Sequence, residues 1–402
     1  MVGESLNFPF PTERVVEGTV EVVVPRLEAF IEKPSDYAPS KAPVFYNPVM
    51  ELNRDLAVLA LQVFQRSVGR EVSVCEPLTG CGVRGVRLAR EVEGVGKVVV
   101  SDINGEAYRL AKYNVEENGL SGRVTVEHED ADSLLNRFGA PRRRFDYVDV
   151  DPFGSPMPFV DSAFRALRCG GLLAVTATDL ASLCGVYPRA CVRKYGGKPL
   201  RVEYCHELAV RLLAGALART AAKLDVGVCM VFSHSSEHYV RLYALVGCGA
   251  KKADESLDSL GFVYHCHACS HRESALGMFQ CGKVCPVCGA EMAIAGPLWL
   301  GRIASGEFVA SMLAEAGVRG YRLKKVVRHL LGLVSEEVGG PVGFFVVDDV
   351  CDRLGLRVPS VRRVVEELRR RGSRACLTHF HPCGFRTDAS AVVVDEVVKG
   401  LV

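Results

Sequence analysis

The chain has 402 residues, of which 49% are hydrophobic and 24% charged, and its formal net charge is only +2. This composition predicts a globular protein of two or three domains and excludes an overall polycation, so any surface for a polyanion must be local. No stretch approaches the ~18 uncharged apolar residues of a membrane span, and the amino terminus lacks a signal-peptide pattern. We therefore expect a cytoplasmic protein without membrane contact.

The first 250 residues alternate between helix and strand patterns. After an alternating run over 15–24 and a Pro-rich passage to Pro48, apolar spacing predicts a helix over 54–67. From residue 71 the alternation predicts strands over 72–76, 97–102, 124–127, 147–150, 172–176, 226–234 and 240–246, and helices over 83–92, 106–118, 163–168 and 204–224. Such alternation indicates an open, largely parallel α/β sheet, Rossmann-like, with ligand sites at the carboxyl ends of its strands.

The pattern changes near residue 251. Residues 262–295 are rich in Cys, His and Gly and contain two Cys-x-x-Cys pairs, Cys266 with Cys269 and Cys285 with Cys288. This is zinc-ribbon spacing, and four thiolates form a closed set suited to structural zinc. Cys281 or one of His265, His267 and His271 could replace one ligand, and two disulfides or free thiols are the alternative.

The tail, residues 321–402, is predicted to be winged-helix-like. Helices are expected over 346–354 and 360–371, followed by a strand–turn–strand from 375 to 394. Six arginines surround the second helix and suit a phosphate backbone: Arg362, Arg363, Arg369, Arg370, Arg371 and Arg374. Pairing with Glu366 and Glu367 on a solvated face is the alternative. Residues 379–381 and Arg386 on the hairpin could touch RNA or form its turn.

A glycine-rich loop, Gly80-Cys-Gly82-Val-Arg-Gly85, joins the first strand of the α/β unit to its first helix. It satisfies the dinucleotide pattern G-x-G-x-x-G, so an NAD(P) enzyme is a competing hypothesis. However, acids follow successive strands: Glu76, Asp102, Asp130 and Asp151. An acid-lined cleft suits the ammonium and sulfonium of S-adenosylmethionine better than a dianionic dinucleotide. A tight turn with solvated acids is the alternative for any one of them.

The tetrapeptide Asp151-Pro152-Phe153-Gly154 directly follows a buried-strand pattern. It could hold a flat ring that carries an amine: the aromatic stacks on the ring while Asp151 accepts hydrogen bonds from the amine. Those acceptors favour the pyramidal, attacking form of a poorly nucleophilic exocyclic amine. By itself, Asp-Pro-x-Gly is also an ordinary turn.

With these motifs in order, nearly the whole chain resembles the tRNA guanine-26 N2-dimethyltransferase family. The most specific match is Asp149-Val-Asp151-Pro-Phe-Gly-Ser-Pro156. The other matching stretches are Glu17-Gly18, Val44-Phe-Tyr-Asn-Pro48, Leu52-Asn-Arg54-Asp55, Glu76 to Gly85, Ser101-Asp102-Ile-Asn104, Thr178-Asp179, Cys191-x-Arg193-Lys-Tyr-Gly196, Gly296-Pro-Leu-Trp299-x-Gly301, Thr378-His-Phe380 and Gly384-Phe-Arg-Thr-Asp388.

The resemblance implies a methyltransferase domain over 1–250, with an amino-terminal extension, and a tRNA-binding α+β domain over 251–402. The implied reaction moves one and then two methyls from S-adenosylmethionine to the exocyclic amine of a tRNA guanine, with a neighbouring guanine as a second candidate. Implied catalytic residues are Asp151, Phe153 and Phe45. Implied cofactor contacts are Arg54, Glu76, Gly80, Gly82, Arg84, Asp102, Asp130 and Ala131. No obligate protein partner is expected.

Two other hypotheses remain at this point. The first is a methyltransferase for another amine, such as adenine N6 in RNA or DNA, although Phe153-Gly154 departs from the usual form of those sites. The second is a nucleic-acid-binding regulator that keeps the α/β domain as a ligand sensor.

Overall fold

A computed structural model describes residues 8–31, 33, 38–277 and 283–402. Contacts divide the chain into two compact units. Unit 1 comprises Met1–Val150, Ser162–Arg168 and Ala314–Arg328, and unit 2 comprises Asp151–Asp161, Cys169–Leu313 and His329–Val402. The units therefore interleave along the chain. The functional boundary predicted near residue 250 stays a prediction.

Unit 1 contains a hairpin and a parallel α/β sheet. Its elements are β1 (Thr12–Glu17), β2 (Val20–Pro25), α1 (Ala38–Lys41), α2 (Glu51–Val68), β3 (Val72–Glu76), α3 (Val83–Glu91), β4 (Val95–Ser101), α4 (Gly105–Glu117), β5 (Val124–Glu127), α5 (Ala131–Phe138) and β6 (Phe145–Val150). The four parallel strands lie in the order β5-β4-β3-β6. Every residue of β6 is buried, as expected for a strand covered on both faces. The Rossmann-like prediction is confirmed.

Two elements follow at the change of unit, α6 (Met157–Ala166) and β7 (Leu167–Ala177). The helix predicted over 163–168 is therefore wrong at its end, since Leu167 and Arg168 already belong to β7. Unit 2 continues with α7 (Leu180–Leu183), α8 (Pro188–Tyr195), α9 (Cys205–Ala222), β8 (Val226–Ser236), β9 (Tyr239–Cys248) and α10 (Ala250–Leu257). Strands β7, β9 and β8 pair antiparallel in that order.

The cysteine-rich segment forms a three-stranded antiparallel sheet in the order β11-β10-β12. Its strands are β10 (Leu260–His265), β11 (Arg272–Leu276) and β12 (Ala293–Trp299). A small cluster of buried residues, Tyr264, Cys266, Cys285 and Met292, is its core. A core of this size contributes little to folding stability, so a structural metal ion is expected here.

The tail has the element order of a winged helix. After α11 (Gly306–Val318) come α12 (Lys324–Glu337), β13 (Phe345–Val346), α13 (Val347–Leu354), α14 (Val361–Arg370), β14 (Ala375–Leu377), β15 (Gly384–Thr387) and α15 (Ala391–Leu401). Strand β15 lies between β13 and β14, so the winged-helix-like prediction is confirmed.

The predicted hairpin, however, does not extend to residue 394. Its second strand ends at Thr387, and α15 begins at Ala391. Valine-rich sequence favours strands, but Ser390 caps a helix by accepting a hydrogen bond from the Val393 N–H. Helical spacing also puts Val394, Val397 and Val398 into the core formed with α13 and α14. Among the described residues, no helix combines the length and apolarity needed to cross a membrane.

Candidate functional site

The glycine-rich loop of unit 1 has a backbone that only glycine adopts easily. Gly80 and Gly82 have φ of +55° and +82°, in the left-handed region. A Cβ at Gly80 would lie 2.9 Å from the carbonyl oxygen of Phe45, and one at Gly85 would lie 2.4 Å from Val100 Cγ1. The loop is therefore tightly packed before α3, whose amino end offers backbone N–H groups to a ligand.

Glu76 holds this loop from within. Its Oε2 accepts hydrogen bonds from the Gly85 N–H at 3.0 Å and the Thr79 hydroxyl at 2.7 Å. Its Oε1 lies 3.2 Å from Arg84 Nε, and the residue is 3% exposed. These contacts give Glu76 a structural role at the end of β3. Its predicted role toward the ammonium of a cofactor stays a prediction.

Two further acids lie at the carboxyl ends of the neighbouring parallel strands. Asp102, after β4, accepts hydrogen bonds from the backbone N–H groups of Gly80 at 2.8 Å and Asn104 at 2.9 Å. Burial raises the pKa of Asp102, and these hydrogen bonds oppose that rise. Asp130, after β5, caps α5 by accepting from the Ser133 N–H at 3.1 Å, so Ala131 is the first residue of that helix. The strand order thus brings three predicted acids to one edge of the sheet.

The two arginines predicted to contact the cofactor lie in internal networks. Arg54 donates from Nε and Nη2 to the two oxygens of Glu17, both at 2.6 Å, and is 4% exposed. Arg84 donates from Nη1 to Asn53 Oδ1 at 2.7 Å. Arg54 is therefore a buried ion-pair partner of Glu17, whereas a helix arginine would by default be expected in solvent. A cofactor carboxylate would have to approach Arg54 at Nη1. The cofactor contacts of Arg54 and Arg84 stay predictions.

Sequence reasoning missed the centre of this network, Arg87. Its guanidinium lies within 2.6 to 2.9 Å of Asp55, Glu17 and Glu91, and its side chain is 0% exposed. Burial raises the pKa of Glu17, but the charges of Arg54 and Arg87 outweigh it, so the net shift is downward. The sequence signals were the matching stretches Glu17-Gly18 and Leu52-Asn-Arg54-Asp55, which contain two of its partners. The cluster fixes α2 and α3 against the amino-terminal hairpin.

Unit 2 carries the turn with the predicted catalytic residues. Gly154 has φ of +74°, its N–H donates to Thr178 Oγ1 at 2.7 Å, and its carbonyl accepts from the Thr178 N–H at 2.9 Å. Phe153 is 68% exposed, and Asp151 is half-buried. Two hydrogen bonds thus hold an exposed aromatic ring beside a carboxylate. Phe45, the predicted second aromatic, is half-buried in unit 1.

Thr178 and its neighbours are functional candidates that sequence reasoning did not single out. Asp179 accepts hydrogen bonds from Lys194 Nζ at 2.9 Å and from the Tyr195 hydroxyl. Tyr239 of β9 is buried, which raises its pKa, and the charge of Asp151 adds to that rise. Tyr239 therefore lies near Asp151. The Thr178-Asp179 match was the one available signal.

The four predicted metal ligands converge. Cys266, Cys269, Cys285 and Cys288 have sulfurs that all lie within 4.8 Å of one another, with Sγ–Sγ distances of 3.4 and 3.6 Å for the pairs 266–288 and 269–285. Four sulfurs ~2.3 Å from a tetrahedral ion lie about 3.8 Å apart, so the residues fit zinc. All four are free thiols.

The predicted alternative ligands have other neighbours or lie outside the described residues. His271 is 2.9 Å from Glu273 Oε1, and His265 Nδ1 is 3.1 Å from the Tyr204 hydroxyl. Cys281 lies outside the described residues. The structure therefore favours the four-cysteine set over an exchanged ligand.

All six arginines predicted around the second tail helix are exposed. Glu367 pairs with Arg370 at 2.7 Å and Arg371 at 2.9 Å, so the solvated-face alternative accounts for part of the cluster. Four further exposed cations lie on or after α8: Arg189, Arg193, Lys194 and Lys198. Each set offers unit 2 a local positive surface despite the small net charge.

The hypothesis of an RNA contact at Arg386 is wrong. Arg386 is 3% exposed and lies 2.8 Å from Glu207 and 2.9 Å from Glu337. His379 donates its backbone N–H to Glu337 at 2.7 Å with its side chain 3% exposed, and Phe380 is 8% exposed. A hairpin arginine looks like a surface charge in sequence, because its partners are far away along the chain.

The chain is similar to known proteins over nearly its whole length. A family model described as N2,N2-dimethylguanosine tRNA methyltransferase matches residues 18–399. A tRNA (guanine(26)-N(2))-dimethyltransferase of Methanothermobacter thermautotrophicus is 43% identical over 96% of this chain and 98% of its own. A tRNA (guanine(26)-N(2)/guanine(27)-N(2))-dimethyltransferase of Aquifex aeolicus is 35% identical over 96% and 95%. The structure of Trm1 from Pyrococcus horikoshii with S-adenosyl-L-methionine superposes with a TM-score of 0.84, at 34% identity, over 96% and 99%.

Proposed function

The chain belongs to the N2,N2-dimethylguanosine tRNA methyltransferase family, and we propose that it methylates the N2 amine of guanine 26 in tRNA with S-adenosylmethionine as donor. The dimethyltransferase names of its relatives support transfer of two methyls, and the Aquifex aeolicus relative makes guanine 27 a candidate second target. The proposed location is the cytoplasm, where tRNA is used in translation. The adenine and regulator hypotheses are not favoured, because these relatives are guanine-N2 enzymes.

The turn at residues 151–154 carries the proposal. Thr178 holds the backbone of this turn by hydrogen bonding to Gly154. Phe153 is 68% exposed, but its backbone is already ordered before a base binds. An exposed aromatic that is already fixed in place serves as a stacking platform. Stacking on Phe153 would place the guanine edge that carries N2 near Asp151. The role of Phe45 as a second aromatic rests on the family resemblance alone.

Asp151 would act on the amine in two stages. Before transfer, its carboxylate accepts a hydrogen bond from the N2 hydrogens, which favours the pyramidal form whose lone pair can attack. After transfer, the methylated nitrogen is cationic and acidic, and its proton passes to Asp151 or to water. The secondary amine then repeats the sequence for the second methyl. A base stacked within tRNA must first leave its stack, at a cost of a few kcal/mol.

The cofactor site is proposed for the sheet edge of unit 1. Bound S-adenosylmethionine supplies an electrophilic methyl on a cationic sulfur. The glycine loop would let the backbone approach it closely, Asp102 would hold ribose hydroxyls, and Asp130 with the Ala131 N–H would recognise adenine. Glu76 and Arg54 would bind the ammonium and carboxylate. Acids at the ends of β3, β4 and β5 give the negative field that a cationic cofactor requires.

The domain over 251–402 is proposed to bind tRNA. Zinc in the four-cysteine set would stabilise the small sheet of β10, β11 and β12, and the exposed arginines of α14 would contact phosphates. Helix α14 is the second helix of the predicted helix–turn–helix, so its exposed face is available for nucleic acid.

The test is incubation of an unmodified tRNA transcript with the protein and labelled S-adenosylmethionine, followed by nucleoside mass spectrometry. We expect N2-methyl- and N2,N2-dimethylguanosine at position 26. Asp151→Asn should lose turnover while keeping tRNA affinity, and Asp258→Asn, at an exposed carboxylate after α10, is the matched control. Methyladenosine as the product, or full activity of Asp151→Asn, would contradict the proposal.

A further inference from the structure

Unit 2 contains a second group of potential metal ligands that shares no residue with the four-cysteine set. The sulfurs of Cys184 and Cys205 and a ring nitrogen of His206 all lie within 4.8 Å of one another. We propose that Cys184, Cys205 and His206 form a second metal site, for a thiophilic cation such as Zn²⁺.

The geometry matches what such an ion requires. With Zn–S near 2.3 Å and Zn–N near 2.0 to 2.1 Å, ligand atoms of a tetrahedral site lie about 3.4 to 3.8 Å apart. As in the four-cysteine set, the ligand atoms of this group all lie within 4.8 Å of one another. A disulfide between Cys184 and Cys205 would involve only two of the three groups. It would not account for the position of the His206 ring nitrogen beside the two sulfurs.

The ligands lie on ordered elements. Cys184 directly follows α7, where its N–H bonds the Leu180 carbonyl at 2.7 Å. Cys205 and His206 are the first two residues of α9, a helix that is largely buried. All three are half-buried, so an ion could enter from solvent. Three protein ligands leave a fourth position for water, unlike the closed set of the ribbon.

The ion would join the end of α7 to the start of α9. The segment 178–184 begins with Thr178, which holds Gly154 by two hydrogen bonds, and continues through Asp179, whose carbonyl accepts from the Ser182 N–H at 2.9 Å. A tether at Cys184 would therefore restrict the segment that fixes the turn 151–154. This consequence, unlike the site itself, rests on the proposed function.

The first test counts metal in the full-length protein. After equilibration with Zn²⁺ and removal of unbound ion, we expect about two equivalents by mass spectrometry in the wild type. Cys205→Ser and His206→Gln should each retain about one, and Cys269→Ser should retain the other one. Cys229→Ser, at an exposed cysteine of β8, is the matched control and should keep two. One equivalent in the wild type, or equal metal in Cys205→Ser and Cys229→Ser, would overturn the site.

The second test uses only the wild type, so it does not depend on the folding of a variant. We expect Cys184 and Cys205 to resist alkylation in the Zn²⁺-loaded protein and to react once a chelator removes the ion. Protection that survives the chelator and yields only to a reductant indicates a disulfide, which would refute the metal site. If methyl transfer to tRNA fails but chelation exposes these thiols to alkylation, the proposed function is refuted and the metal site is supported.

Discussion

Replacing Glu207 with Gln should destabilise unit 2 by about 3 kcal/mol. Glu207 is 0% exposed and accepts hydrogen bonds from Arg211 Nε at 2.8 Å, from Arg386 Nη2 at 2.8 Å and from the Gly343 N–H at 3.1 Å. Gln keeps the size but removes the charge, which leaves two buried guanidinium groups less compensated. Breaking a buried pair from one side costs about 3 to 5 kcal/mol, and Glu337 still pairs with Arg386, so the lower end applies.

The lowered pKa of Glu207 gives a second way to derive this loss of folding stability. Burial raises it, but the charges of Arg386 and Arg211 outweigh burial and lower the pKa from 4.5 to about 2. That difference corresponds to about 3 kcal/mol. Because the folded pKa lies below the unfolded one, this stability is present above about pH 4.5 and is lost as the pH falls toward 2. At pH 3 less than half of it, about 1 kcal/mol, should remain.

The assay is urea unfolding followed by tryptophan fluorescence at pH 7 and at pH 3. The chain has one tryptophan, Trp299, whose carbonyl accepts from Arg211 Nη1 at 3.0 Å, so it reports on this network. Glu336→Gln is the matched control, since Glu336 is 58% exposed and lies 3.8 Å from Arg369, where ion pairs contribute about 0 to 1 kcal/mol. If Glu207→Gln and Glu336→Gln unfold at the same urea concentration, the reasoning is refuted.

Three further predictions concern the turn, the tail and the ribbon. Thr178→Val should lower kcat about fivefold, because the hydroxyl that accepts from the Gly154 N–H is worth roughly 1 kcal/mol; Thr178→Ser should keep kcat, neither should change cofactor affinity, and equal steady-state rates would contradict this. Changing Arg369, Arg370 and Arg371 to Gln should weaken tRNA binding and flatten its dependence on salt, measured by filter binding, whereas Lys251→Gln with Lys252→Gln on α10 should not; an unaltered slope argues against phosphate contacts there. Cys269→Ser should open residues 262–295 to limited proteolysis while cofactor affinity is kept, and an unchanged cleavage pattern would count against a structural metal.

Several features of the site follow from the sequence because they depend on neighbouring residues. Gly80 and Gly82 have the positive φ that a tight turn before a helix requires. The alternation of strand and helix predicts that Glu76, Asp102 and Asp130 share one sheet edge, since parallel strands end on the same side. The spacing of the two Cys-x-x-Cys pairs likewise predicts that four sulfurs converge, as they do.

Prediction from the local sequence was less reliable where residue composition and helix capping favoured different structures. The valine-rich stretch from residue 391 favours a strand by composition, but it forms α15. The Ser390 cap and the contact of Val394, Val397 and Val398 with the tail core decide the outcome. Residue preferences are small beside the burial of three valine side chains.

The sequence by itself determined the family, the glycine loop, the turn at residues 151–154 and the cysteine spacing, because each of these is a short-range pattern of backbone constraint or ligand spacing. Only the tertiary structure decided which charged residues are buried partners and which are exposed. Arg386 meets Glu207 across 179 positions of sequence, and Arg54 meets Glu17 across 37, whereas the arginines of α14 remain exposed. An arginine carries the same side chain in either setting, and the charge that compensates its burial comes from wherever the fold brings a carboxylate.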